Sequence, residues 1–213
     1  MEKSPIKTQR TYLAVGTTAV WFAVVFQLYL LILNRTVPVQ EAIIRYFSYY
    51  TILTNMLIAV CFTALLMKPQ SRWGRFFSSP KTLTAIAVYI TVVGIVYNMV
   101  LRFTWNPQGL QRVVDELLHL IIPLLFIVYW LIFAPKAGLQ WKNVFPWLLY
   151  PLVYIVCILF RGSCSGFYPY PFIDVKTLGY SKVLLNCGGL FIAFLLLSLL
   201  FVAIAKLKSR NPR

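Results

Sequence analysis

The chain has a single histidine, His119, which follows the acids Asp115 and Glu116 by four and three residues. In a helix those spacings place both carboxylates on the face of the histidine. A carboxylate there fixes the imidazole tautomer and raises its basicity, as the third member of a catalytic triad does. An imidazole held in that way can take the proton of a hydroxyl and so activate a poor nucleophile. Two threonines are candidates for that hydroxyl: Thr51, with Asn55 one turn on, and its rival Thr54. The amides of Asn55, Asn98 and Asn186 are candidates to hold an oxyanion, and Arg102 or Arg161 to hold a substrate carboxylate. Plainer readings compete. Asn and Thr join membrane helices through hydrogen bonds, and acids such as Asp115 and Glu116 suit the positive end of a helix as caps.

Other chemistries lack their residues. One histidine, with no Cys–His spacing of metal-site type, gives no reason to expect a metal, haem or other cofactor. There is no Gly-rich phosphate loop and no nucleophile elbow. The sequence Asn34-Arg35-Thr36 fits a glycosylation sequon, a pattern short enough to arise by chance. Cys61 and Cys157 fall within apolar stretches, while Cys164 and Cys187 are placed where a disulfide is conceivable.

The elements that must position these residues are membrane spans. Of 213 residues, 60% are hydrophobic and 12% charged, and the mean hydropathy is +0.77. Six stretches approach or exceed the ~17–25 apolar residues that cross a bilayer, which predicts an all-α, polytopic bundle of six transmembrane helices forming one domain over residues 1–213. The spans run from about Tyr12 to Leu33, Phe47 to Met67, Thr82 to Leu101, Leu117 to Ala134, Phe145 to Phe160 and Val183 to Ala205. On this reading Thr51, Asn55, Asn98, His119 and Asn186 share one depth in an outward-opening polar chamber, since polar groups in hydrocarbon face a bundle interior or a cavity. Thirteen of the 20 Lys and Arg residues fall on one side, at the termini and in the second and fourth connections; the other seven share the opposite side with four of the five acids. The positive-inside rule then puts both termini in the cytoplasm. Anionic lipids are the expected partners of the basic flanks. The net charge of +15 does not imply nucleic acid, because the cations cap spans rather than interleave with stacking aromatics.

Three segments resemble a known family. Tyr49-Tyr50-Thr51-Ile52-Leu53-Thr54-Asn55 is similar to the aromatic-rich entry to the nucleophilic threonine in the androgen-induced and androgen-dependent six-span hydrolases, which cleave fatty-acid esters of hydroxy fatty acids. His119-Leu120-Ile121-Ile122-Pro123 resembles the family histidine with its nearby proline, and Phe167-Tyr168-Pro169-Tyr170-Pro171-Phe172 the aromatic segment before the last span. The resemblance covers most of the chain and extends to the family's bacterial integral-membrane branch. It implies a multi-pass protein of a bacterial plasma membrane, with Thr51 as nucleophile, His119 as base and a lipid ester as substrate. The acids Asp115 and Glu116 are not part of the family pattern.

Two other classes fit the same composition. The chamber could bind a small molecule for a transporter, or the bundle could be a scaffold without catalysis. The proline- and aromatic-rich run around Tyr168 cannot form a regular helix. It reads equally as a lid over the chamber or as an interfacial aromatic belt.

Overall fold

The computed structural model describes residues 7–104 and 106–210, for Arg210 the backbone alone. Among these residues helix is the only regular structure. Six helices are long and apolar enough to cross a membrane, and the chain is an all-α, polytopic membrane protein. It packs as two compact units, Met1–Pro135 and Lys136–Arg213.

The first unit holds four spans and two short helices. Its elements are α1 (Lys7–Leu33), α2 (Val39–Tyr46), α3 (Tyr50–Met67), α4 (Arg72–Ser78), α5 (Pro80–Val96), α6 (Gly109–Glu116) and α7 (Ile122–Ile132). A π turn, Tyr97–Leu101, extends α5, and a second, Leu117–Ile121, fuses α6 to α7 into one span. Local chemistry sets the ends. Ser71 caps α4 by accepting from the Gly74 N–H at 3.0 Å; Ser79 caps α5 by accepting from Thr82 N–H at 3.2 Å, with Pro80 in the first turn, where its missing N–H costs nothing. Between α1 and α3, Gly16 permits close approach, since a Cβ there would lie 2.8 Å from the Phe62 ring. Phe62 in turn packs on Phe126 and Tyr129, ring centroids 5.3 and 5.1 Å away. The short helix α2 was not foreseen. It is pinned by Tyr46, whose hydroxyl donates to Val24 O at 2.6 Å, and carries a half-buried Arg45–Glu41 pair at 2.8 Å.

The fourth and sixth spans each begin eight residues before the sequence expectation, the sixth at Val175 rather than Val183, and the start of the fourth bears on the site. The fourth begins at Gly109, not Leu117, because Arg112, Asp115 and Glu116 interrupt the apolar run by which spans are recognised. The acids therefore lie six and seven residues inside the helix, beyond the first turn where the dipole favours negative charge. Helix capping does not account for them. His119 is ten residues in, roughly 15 Å along the axis at 1.5 Å per residue.

The second unit is a helix pair. A 3-10 turn, Trp141–Asn143, leads into α8 (Val144–Ser165), which ends at left-handed Gly166 (φ 73°) with its N–H on Gly162 O at 2.8 Å. A further 3-10 turn, Pro171–Ile173, precedes α9 (Val175–Arg210), which Gly179 (φ 75°, ψ 160°) breaks near its start. Asp174 caps α9, accepting from Lys176 N–H at 2.9 Å and Thr177 Oγ1 at 2.8 Å. The run before α9 is a packed element of this unit: Ile173 is fully buried against Ile158 and Val183. All four cysteines are free, so Cys164 and Cys187 do not pair.

Candidate functional site

The polar residues of the first unit gather where its two π turns meet, and Pro123 is one reason. Proline has no N–H, so neither Leu118 O, five residues back, nor His119 O, four back, can receive a bond from it. Two asparagine side chains replace that donor. Asn55 Nδ2 donates to Leu118 O at 3.3 Å, and Asn98 Nδ2 donates to His119 O at 3.2 Å. Each amide also bonds the carbonyl four residues before it in its own helix, Thr51 O and Gly94 O, both at 2.8 Å. Both N–H bonds of each amide are thereby used. The sequence offered these amides as oxyanion donors; here they hold backbone carbonyls that a dry interior would otherwise leave unpaired.

His119 lies between two partners. Its Nδ1 is 2.9 Å from Asp115 O and 3.3 Å from Asp115 Oδ1. Both are acceptors in an ionised carboxylate and a carbonyl, so in the neutral ring Nδ1 carries the proton and Nε2 the lone pair. Among the described residues Nε2 makes no hydrogen bond. The ring stacks on Tyr97, with centroids 3.9 Å apart and planes 11° from parallel. The Tyr97 hydroxyl donates to Asp115 Oδ2, so one tyrosine both clamps the imidazole and holds its carboxylate, which is only 5% exposed. Of the two acids, Asp115 faces the histidine and Glu116 does not. Tyr97 escaped the sequence reading. The available signal was its place beside Asn98 inside a span, since a buried tyrosine hydroxyl needs a partner.

Glu116 is taken by Arg102. The guanidinium holds both carboxylate oxygens at 2.7 Å in a two-pronged bond, and its Nε donates to Asn98 Oδ1 at 3.0 Å. The five-residue register of the π turn, in which Arg102 N–H reaches Tyr97 O at 2.8 Å, stacks these residues: Arg102 Cζ sits 5.3 Å from the Tyr97 ring centre. Arg102 is thus engaged within the cluster. The two amides, the Tyr97 hydroxyl and His119 Nδ1 have their donors committed, and two acceptors remain, His119 Nε2 and Asn55 Oδ1. The latter is fully buried and has no hydrogen-bond partner among the described residues.

Thr51 lies in the first turn of α3 and is 7% exposed; Thr54 is fully buried. Neither hydroxyl is hydrogen-bonded to His119, whose side-chain bonds all run to Asp115. The link from Thr51 to the histidine turn passes through Asn55, which bonds Thr51 O and Leu118 O with one nitrogen.

Asn186, Arg161 and Tyr168 belong to the second unit. Asn186 Nδ2 donates to Phe172 O at 2.8 Å and ties α9 to the aromatic run. Arg161 Cζ lies 4.9 Å over the Phe167 ring. The Tyr168 ring occupies the space that a side chain at Gly162 would need. Within that unit, Asn186 and Tyr168 fasten the Phe167–Phe172 run to α8 and α9.

No family model, curated protein sequence or solved structure matches the chain.

Proposed function

We propose that the chain is an intramembrane hydrolase of lipid carboxylic esters, with His119 as general base. The observation that carries this reading is the Asp115–His119 pair. Asp115 orients the ring through Nδ1 and leaves the Nε2 lone pair unused, the arrangement a base needs in order to receive a hydroxyl proton. Thr51 is the proposed nucleophile, Thr54 its rival, and closing of either hydroxyl onto Nε2 belongs to the substrate complex, in which catalytic hydrogen bonds tighten. Arg102 holds Glu116 and so contributes to the shape of the site rather than to capture of a fatty acid. The similarity of the Thr51, His119 and Tyr168 segments to the six-span hydrolases supports the same reading, and the proposal includes a multi-pass location in a bacterial plasma membrane.

The test uses the purified protein in nanodiscs with a chromogenic long-chain acyl ester. His119→Ala and Thr51→Ala are each expected to abolish turnover, and the double variant to be little worse than either, because the two residues act as a unit. Turnover retained in Thr51→Ala but lost in Thr54→Ala transfers the nucleophile to Thr54. Turnover retained in His119→Ala ends the proposal. A second reading then takes over, a binding site for a hydroxyl- or ammonium-bearing small molecule of a transporter. The observation favouring it is the pair of acceptors, Asn55 Oδ1 and His119 Nε2, left beside asparagine amides whose donors are committed.

A further inference from the structure

The opposite end of α3 from Thr51 forms one wall of a different site. A cavity of about 680 Å³ opens between the start of α1 and the end of α3, lined by the polar Lys7, Arg10 and Thr11 and by the apolar Val15, Leu66 and Met67. The α1 positions fall at i, i+3, i+4 and i+8, one helical face, so the lining changes from cationic to apolar along a single stripe. Val15 and Met67 are 61% and 71% exposed, which leaves that apolar stretch uncovered. Among the described residues neither Lys7 nor Arg10 has a side-chain partner. The four acids there are engaged elsewhere: Glu41 by Arg45, Asp115 by Tyr97 and His119, Glu116 by Arg102, and Asp174 as the cap of α9.

We propose that this groove seats one anionic phospholipid, its phosphate on Lys7 and Arg10 and its acyl chain along Val15, Leu66 and Met67. Guanidinium and ammonium groups bind phosphate oxygens through charge-assisted hydrogen bonds. A lone phosphate would use only the cationic lining and leave the apolar residues bare, whereas an amphiphile matches both. The groove is also the right scale, since sites for small ligands enclose about 300–1,000 Å³. The proposal stands without the hydrolase reading, because it involves none of that site's residues.

Native mass spectrometry of the full chain, released from neutral detergent with graded phosphatidylglycerol, tests it. One phosphatidylglycerol is expected to stay bound under activation that strips the others. Lys7→Gln/Arg10→Gln should weaken that binding about thirtyfold, taking each cation's worth near a lipid surface with the tenfold-per-1.4 conversion. Val15→Ser/Met67→Gln should weaken it as well, while Lys206→Gln/Lys208→Gln, which removes the same charge from the other basic flank, should leave it intact. Millimolar inorganic phosphate should not displace the lipid. Equal losses in both charge-removing variants, equal retention of phosphatidylcholine, or displacement by phosphate alone would each overturn the proposal.

Discussion

Replacing Asn55 by leucine removes the donor that serves Leu118 O across the helix interface. Thr51 O, the other acceptor, keeps the backbone bond of its own helix, so one carbonyl is orphaned. Interhelical side-chain hydrogen bonds in membranes average about 0.6 kcal/mol, and an orphaned buried group costs about 1–3 kcal/mol. Losing Asn55 Oδ1, itself buried without a partner, offsets part of that. A net destabilisation of about 1–2 kcal/mol is expected. The decisive measurement is a double-mutant cycle with Pro123→Ala, which returns an N–H to the turn that lacks one. In wild type that N–H meets carbonyls already served by Asn55 and Asn98, so Pro123→Ala alone should change little. With Asn55→Leu it supplies the missing donor, and the double variant should recover about 1 kcal/mol, inside the 0.5–3 kcal/mol typical of coupled neighbours. Unfolding in mixed micelles titrated with dodecyl sulfate, followed by tryptophan fluorescence, reads all four corners. If the two substitutions add to within about 0.3 kcal/mol, the account of Pro123 and the asparagines is wrong.

Three further outcomes are expected. Tyr97→Phe keeps the ring on His119 but takes a donor from Asp115, and should destabilise by about 1.5–3 kcal/mol, the worth of a hydrogen bond to a charged group; nitrogen NMR on histidine-labelled wild type should show the Nδ1–H tautomer, and the Nε2–H form would refute the geometry. Glu116→Gln leaves Arg102 without its counter-charge. Because both side chains are about one-third exposed, the loss should be about 1 kcal/mol rather than the 3–5 of a buried pair, and Arg102→Gln added to it should recover stability; a double variant worse than the single one contradicts the pairing. In the connection before α8, burial and the nearby Lys208 push the Lys136 amine down to about 8. Its unfolded value is higher, so the unfolded state binds more protons between the two and stability should rise with pH across that interval. At about pH 7.5 Lys136 should be about one-quarter neutral, against about one in a thousand for an ordinary lysine. Amine-reactive labelling read by peptide mapping should find it among the fastest lysines, and a rate equal to that of Lys7 would refute the shift.

Hydrophobic content alone determined the class of this protein. A bilayer demands long apolar helices that satisfy their own backbone, so six such runs were visible as composition, each with at least one end within four residues of where the helix begins or ends. Residue types and spacing also brought out His119 with its two acids, because a four-residue separation is decided by helix geometry alone. Which acid serves the histidine was not legible. Asp115 and Glu116 are equivalent by spacing, and only the neighbouring span, with Arg102 for one and Tyr97 for the other, separates them. The start of the fourth span was hidden for the same reason, since its charges are tolerable in a membrane only through partners contributed by other helices. The roles of Asn55 and Asn98 needed tertiary structure as well. An amide reads as a free donor in a sequence, and only packing reveals that Pro123 and two π turns have already claimed its hydrogens.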